Sequence, residues 1–278
     1  MAASETIDPD AFNAFEAEGW KRRASGYHDF FASITTRATE RLLDAARVDP
    51  GRRMLDVATG PGYVAAAAAA RGATATGLDV AEEMVELAAR LHPQAGFVLG
   101  DAERLPFEDS SFDAAVASFA ILHLGRPERA AAELARVLTS GGRVAVSVWD
   151  GPERSRLMGV FVDAVAEAGA SAPAEVPAGP DFFRFADDAA LERLLAGAGF
   201  ADAAVESIDF RHHLSGASEL WEGMLSGTVR IRAMVDRQPA EARRRIRAAF
   251  DRLVAAHASG DEAIEIPVRV RIGSARKP

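Results

Sequence analysis

The chain has 278 residues, enough for a sizeable core and one or two domains. It is 49% hydrophobic and 26% charged, a globular composition, and no apolar stretch approaches the roughly 20 residues that a membrane-spanning helix needs. It contains no cysteine, which excludes disulfides, thiolate catalysis and cysteine metal sites within it, and its net charge of −9 opposes general nucleic-acid binding. Residues 1–10 are acidic and lack the basic-then-apolar layout of a signal peptide, so a cytoplasmic protein is expected. The one basic run, Arg243-Arg244-Arg245-Ile246-Arg247, has Glu241 and Asp251 beside it and reads as a solvated helix face.

Residues 1 to about 50 read as helical, with aromatics at Phe12, Phe15, Trp20, Tyr27, Phe30 and Phe31. Thr36 to Ala46 suits an amphipathic helix that Val48-Asp49-Pro50-Gly51 ends with turn chemistry. A strand–helix alternation follows. Arg53 to Val57 is the first predicted strand, and an alanine-rich helix runs on to Arg71-Gly72. Thr74 to Asp79 is the second strand, followed by a helix from Ala81 to Leu91 with Met84, Leu87, Ala88 and Leu91 at helical spacing. Phe97 to Leu99 and Asp113 to Phe119 are the third and fourth strands. Pro127 to Leu138 is a helix with Gly141-Gly142 as its stop signal, and Val144 to Trp149 is the fifth strand. Such alternation implies a parallel sheet covered on both faces. Beyond Trp149 the pattern loosens. Helices are expected at Arg156 to Ala168 and Asp188 to Ala198, with a Pro- and Ala-rich flexible loop at 170–180 between them. A sixth strand is expected at Ala203 to Phe210, a mostly helical stretch at 216–258, and a last strand at Ala263 to Gly273 with Ile264, Ile266, Val268, Val270 and Ile272 on one face.

In an open parallel sheet, ligands bind at the carboxyl ends of the strands. Strand one ends in Asp56 and a turn containing Gly60, Pro61 and Gly62, before a helix. Glycines there let backbone approach a ligand closely, and a helix start offers unpaired N–H groups. Gly60-x-Gly62-x-x-Ala65 also satisfies a dinucleotide pattern, but a pyrophosphate beside the Asp56 carboxylate would be repelled, whereas an ammonium group would be attracted. Strand two ends in Asp79, which can accept from two ribose hydroxyls; the competing role is an N-cap for the helix that follows. Strand three ends in Gly100-Asp101-Ala102. Three carboxylates around one crevice suit a cationic ligand carrying a ribose.

The ordered series Leu55-Asp56-Val57-Ala58-Thr59-Gly60-Pro61-Gly62, Gly77-Leu78-Asp79, Gly100-Asp101-Ala102-Glu103-Arg104-Leu105-Pro106-Phe107, Ser111-Phe112-Asp113 and Leu138-Thr139-Ser140-Gly141-Gly142-Arg143 resembles the class I S-adenosylmethionine-dependent methyltransferases, most of all the branch with the ubiquinone and menaquinone biosynthesis enzymes. The resemblance covers roughly residues 50–150. It implies an α/β fold with a doubly wound, seven-stranded, mostly parallel sheet of order 3-2-1-4-5-7-6, the last strand antiparallel. Residues 1–50 then form a helical lid over a methyltransferase domain at 51–278, with a helical cap insertion at about 216–258. S-adenosylmethionine is the implied cofactor and S-adenosylhomocysteine the product. Asp56 and Gly60 would lie by the methionine part of the cofactor, with Ala58 and Gly62 also among the cofactor-binding residues. Asp79, with Val80 beside it, would hold the ribose, Asp101 and Ala102 would meet the adenine, Phe119 would flank the sulfonium, and Tyr27 would lie near the cofactor's carboxylate. Ala58 stands where many relatives carry glycine.

Methyl transfer from a sulfonium mainly requires alignment with a nucleophile, plus a base if that nucleophile arrives protonated. Among six histidines, His123, after strand four, is the first candidate base and His28, on the lid, the second. Trp20, Tyr27, Trp149, Phe182, Phe183, Trp221 and Met224 are the candidate apolar substrate pocket. No metal-ligand spacing is evident, and metal independence is expected. The expected activity is methylation of a small-molecule O, N or C nucleophile, in natural-product or quinone-like metabolism, by a monomer or homodimer with no nucleic-acid or membrane partner. An NAD(P)-dependent oxidoreductase and an RNA methyltransferase are the alternatives. The latter is disfavoured by Ser118-Phe119-Ala120-Ile121-Leu122-His123, which stands where base-modifying enzymes carry an Asn/Asp-Pro-Pro-aromatic motif.

Overall fold

The computed structural model describes residues 7–278. Three helices come first: α1 (Pro9–Lys21), α2 (Ala24–Thr35) and α3 (Thr39–Ala45). Asp8 caps α1 by accepting from the N–H groups of Asp10 at 3.0 Å and Ala11 at 3.1 Å, and Pro9 fills the first turn, where no amide hydrogen is needed. The alternating unit follows as β1 (Arg53–Val57), α4 (Tyr63–Ala70), β2 (Thr74–Asp79), α5 (Glu82–Leu91), β3 (Gly96–Leu99), β4 (Phe112–Ser118), α6 (Pro127–Val137) and β5 (Leu138–Trp149). The rest is α7 (Arg156–Glu167), α8 (Asp188–Gly197), β6 (Ala201–Leu214), α9 (Ala217–Gly227), α10 (Arg230–Asp236), α11 (Ala240–Val254) and β7 (Ile264–Arg276).

The seven strands lie in the order β3-β2-β1-β4-β5-β7-β6, with β7 antiparallel to both neighbours. This is the order that the resemblance implies. Met54 to Val57 are all buried, as they must be in a strand covered by helices on both faces. Ile264, Ile266, Val268, Val270 and Ile272 turn one face of β7 into the core, as their alternation predicts.

Two boundaries differ from expectation. Gly141-Gly142 does not stop a helix. Helix α6 already ends at Val137, and the glycines lie inside β5, where the pairing with β4 jumps from Phe112↔Leu138 to Ala114↔Arg143. Gly141, at φ +78°, takes up the extra residues of that bulge, and its N–H donates to the Lys277 carbonyl at 2.9 Å. Strand β6 runs to Leu214, so His212 and His213 sit within it, opposite Ile266 and Glu265 of the long partner β7, rather than after it. Segment 170–180 carries turns but no helix or strand.

Helix α2 lies on α9 with almost no space between them. A Cβ on Gly223 would stand 2.0 Å from a ring carbon of Phe30, and one on Gly26 would stand 2.5 Å from the Ser226 carbonyl oxygen. Glycine is required at both places by close approach, so α2 seats directly on α9. On another face of α9, Trp221 packs on Phe161 of α7 and Phe250 of α11, at ring separations of 5.4 and 5.0 Å.

Candidate functional site

The turn after β1 bends back on left-handed residues. Ala58, Gly60 and Gly62 have φ of +54°, +53° and +84°. A Cβ added to Gly60 would face open space, with one ring carbon of Tyr27 at 4.0 Å. Ala58 holds a conformation in which a Cβ is strained. The turn is pinned by Thr59 N–H donating to the Leu78 carbonyl at 2.9 Å and Gly60 N–H donating to Asp79 Oδ2 at 2.9 Å.

Asp79 is nearly buried, and its second oxygen accepts from Ala81 N–H at 3.0 Å. Helix α5 starts later, with Ala81 at its N-cap, so Asp79 braces the glycine turn against the β2 end and does not cap the helix. Burial raises its pKa, and the backbone donors Ala81, Gly60 and Val80 oppose the rise.

Asp56 is placed differently from the sequence expectation. Strand alternation turns its side chain beneath the turn, away from the cavity. Oδ2 accepts from Thr59 Oγ1 at 2.6 Å and from Ala65 N–H at 3.2 Å, Oδ1 is buried with no partner, and desolvation raises the pKa to about 7. Asp56 therefore braces the turn and the start of α4 from below. Gly62 is also off the cavity: it packs under Phe97, whose ring carbons would lie 2.8 Å from an added Cβ.

The cavity above the turn has a volume of about 530 Å³. Ala58, Gly60, Asp79, Val80, Asp101, Ala102 and Phe119 are among its lining residues. Asp101 keeps its loop in shape by accepting from Glu103 N–H at 2.8 Å. Phe119 has φ +54°, an unusual conformation for an aromatic residue. Its N–H donates to the Ser147 carbonyl at 3.0 Å and to Ser147 Oγ at 3.1 Å, and its ring stacks on Trp149 at 4.1 Å. Such strain, of order 1–3 kcal/mol, persists where the surroundings over-determine it, most often at working sites.

Trp20, Tyr27, Trp149, Phe182, Phe183 and His123 also line the cavity. Tyr27 stacks on Phe31 at 5.3 Å, and burial pushes its hydroxyl up to about 12. Glu16, which the sequence reading missed, is the hub here. It is 3% exposed, and one oxygen, Oε2, lies 3.0 Å from both Trp20 Nε1 and His123 Nδ1. A carboxylate oxygen only accepts, so Nδ1 of His123 carries a proton and, in the neutral ring, Nε2 is the nitrogen with the lone pair. The Trp20 and Phe182 rings stand edge-on to the imidazole, at 5.0 and 5.8 Å. A second missed residue is Arg230, at the start of α10, which also lines the cavity. Helical spacing of Glu16 and Trp20 is a faint sequence signal for the first; nothing local marks the second.

Three expected residues lie elsewhere. His28 faces Tyr63, whose hydroxyl is 2.6 Å from Nδ1, and does not line the cavity. Trp221 and Met224 are core residues of the α9 packing, because the face of α9 that bears them is turned toward α2, α7 and α11.

Residues 55–146 match the family described as Methyltransferase domain. A demethylmenaquinone methyltransferase from Renibacterium salmoninarum is 31% identical over 191 residues, covering 66% of this chain and 81% of that protein. The chain belongs to the class I S-adenosylmethionine-dependent methyltransferases. A malonyl-[acyl-carrier protein] O-methyltransferase from Serratia marcescens is 31% identical to this methyltransferase over 147 residues, which is 52% of this chain and 55% of that protein. Two solved structures share the fold. The YcgJ protein from Bacillus subtilis has a TM-score of 0.57 at 20% identity, over 87% of this chain and 99% of its own. Phosphoethanolamine N-methyltransferase 2 from Haemonchus contortus, in complex with phosphomonomethylethanolamine and S-adenosylhomocysteine, has a TM-score of 0.51 at 20% identity, over 87% of this chain and 52% of its own. S-adenosylmethionine is the cofactor of this methyltransferase. The residues present fit it: the space beside Gly60 that a Cβ would fill and the nearly buried Asp79 carboxylate, held by backbone donors, both border the cavity. No helix among the described residues is long and apolar enough to cross a membrane.

Proposed function

We propose that this methyltransferase acts on a small, largely apolar metabolite whose nucleophile enters the cavity protonated. One observation carries the reading: the glycine turn and the His123–Glu16 pair border the same aromatic-lined cavity. When bound, S-adenosylmethionine supplies a methyl group made electrophilic by its sulfonium. On the cofactor side Asp79 accepts from the ribose hydroxyls. Val80, Asp101 and Ala102 border the adenine, Ala58 and Gly60 pass their backbone beside the methionine part, Tyr27 stands near its carboxylate, and Phe119 flanks the reacting centre. Asp56 and Gly62 support that side from behind.

On the acceptor side His123 Nε2 takes the proton from the nucleophile. Glu16 holds the imidazole by its other nitrogen and offsets the positive charge that the ring then gains. Trp20, Trp149, Phe182 and Phe183 wall the acceptor and keep water out. In this reading α1–α3 act as a lid and the 216–258 helices as a cap over the methyltransferase domain. The likeness to a demethylmenaquinone methyltransferase supports a quinone-like or natural-product acceptor, and the acidic net charge supports a small molecule over RNA.

The test is a pair of measurements. Calorimetry should show S-adenosylhomocysteine binding, with no comparable stabilisation by NADH in thermal shift. A methyl-transfer screen over small hydroxylated acceptors should then return turnover that His123→Ala abolishes. Turnover unaffected by that change defeats the assignment of His123.

A further inference from the structure

Two arginines that join elements near the cavity end on carboxylates. Arg126 reaches Asp10 at 2.7 Å and Glu103 at 3.2 Å, and Arg136 reaches Glu133 at 2.7 Å and Asp109 at 2.8 Å. Arg230 does not. Among the described residues its one hydrogen bond runs from Nη1 to the Pro180 carbonyl at 3.2 Å, and no carboxylate comes within ion-pair distance. Its guanidinium carbon lies 5.4 Å from the centre of the Phe12 ring and 5.7 Å from that of Phe182, so aromatic faces hold it at the cavity wall. Burial lowers its pKa, while the more distant Glu16 and Asp181 act in the opposite direction. Glu16 is already engaged by Trp20 and His123.

A guanidinium presents two parallel N–H groups along its Nε–Nη2 edge, the match for a carboxylate. With Nη1 bonded to Pro180, that edge has no protein acceptor. A partly desolvated cation facing an apolar cavity without a counter-ion is costly unless a ligand supplies one. The Phe182 ring spans the interval between this cation and the candidate base, 5.8 Å from the His123 ring and 5.7 Å from the Arg230 guanidinium carbon.

We propose that Arg230 is the anchor for a carboxylate on the acceptor, so that the substrate class is a hydroxyaryl or comparably flat apolar carboxylic acid, with its acid group at Arg230 and its nucleophile at His123. This deepens the reading given under Proposed function and rests on it. The acid itself is retained, since the anchored group is held away from the base. Phe182, which touches both His123 and Arg230, sets the spacing between the two ends of the acceptor.

The test measures binding. With S-adenosylhomocysteine at saturation, calorimetry compares 4-hydroxyphenylacetate and 4-hydroxycinnamate with their methyl esters, and with 4-hydroxyphenyl phosphate, on the wild-type chain, Arg230→Met and Arg230→Gln. The glutamine variant keeps a donor for the Pro180 carbonyl, which separates loss of charge from loss of that loop contact. The expected result is at least one acid bound about tenfold or more tighter than its ester by the wild type. That preference should vanish in both variants while S-adenosylhomocysteine affinity is retained. Acids that bind no tighter than their esters, or not at all, overturn the proposal, as does a preference that survives in Arg230→Gln. A preference for the phosphate overturns the assignment to a carboxylate. A wild-type chain that fails to bind S-adenosylhomocysteine defeats the underlying reading of the site instead.

Discussion

The lining proposed to hold the cofactor is built mostly of backbone and short side chains from one run of chain, residues 58–102, with Phe119 joining it. The lining proposed to hold the acceptor is built of long side chains from separated segments: Glu16 and Trp20, His123, Trp149, Phe182 and Arg230. The first is shaped by positive φ angles at Ala58 and Gly60 and by two N–H bonds to Asp79. The second is shaped by contacts such as Glu16 to His123, which are 107 residues apart. A cofactor common to a family suits a wall of backbone, because most substitutions leave backbone in place. An acceptor that differs between relatives suits a wall of side chains, which substitution re-shapes without disturbing the sheet.

Changes on the acceptor side should leave cofactor affinity alone, and the reverse should hold for the cofactor side. The largest effect is expected from His123→Ala. Turnover should drop by about 10²–10⁴-fold, the usual contribution of a positioned base, with S-adenosylhomocysteine affinity within a few-fold of wild type. Parallel loss of both would show that the two sides are not separable. Asp79→Ala comes next. Losing a charged acceptor for ribose hydroxyls, together with the brace on Gly60, should weaken S-adenosylhomocysteine by about 10²-fold in calorimetry. Unchanged affinity would place the ribose elsewhere.

The pH dependence of stability probes the support under the cofactor side. The Asp56 carboxyl titrates near 3.8 when unfolded and about 7 when folded. The native chain therefore holds a proton that the unfolded chain has lost between those values. The stability this contributes is fully present below about pH 4, falls as pH rises toward 7, and is gone above it, with a slope approaching about 1.4 kcal/mol per pH unit. Denaturant melts of the cofactor-free protein from pH 4.5 to 7.5 should show that decline. Asp56→Asn, which keeps an acceptor for Thr59 and Ala65, should flatten it; an equal slope in the variant would assign the proton elsewhere. The smallest effect is expected at Ala58→Gly. Relief of a left-handed alanine is offset by the greater freedom of glycine when unfolded, leaving a gain of up to about 1 kcal/mol and no loss of cofactor affinity. A clear loss of stability would mean that the alanine methyl packs usefully where it stands.

Much of the fold was legible because its signals are local. The span of each of the first four strands came within a residue or two, since apolar runs, the glycine turn and Asp79 follow one another in a fixed rhythm. The bulge at Gly141-Gly142 was misread as a helix stop, because a positive-φ glycine looks the same in both settings and only the pairing of β4 with β5 distinguishes them. The ordered motifs pointed to the cofactor, whereas the charge argument placed Asp56 beside the ligand and the structure turns it beneath the turn. Its role depends on which way a strand residue faces, and burial beneath α4 decides that. Trp20, Tyr27, Trp149, Phe182, Phe183 and His123 line the cavity, whereas His28, Trp221 and Met224 were drawn to Tyr63 and to the α9 core.

The amino-acid sequence alone determined the alternation of strands and helices and the glycine turn after the first strand, because each depends on backbone preferences and periodicities expressed within about ten residues of chain. The order of the sheet and the identity of the cofactor were read from the ordered motifs that resemble the methyltransferase family. Tertiary structure alone decided that Glu16 meets His123, that Phe12 and Phe182 flank Arg230, and that glycines let α2 settle on α9. Those contacts join segments far apart in the chain, and no propensity of a single segment encodes them. They arise where packing brings one element's side chains against another's, and they shape the acceptor side of the cavity.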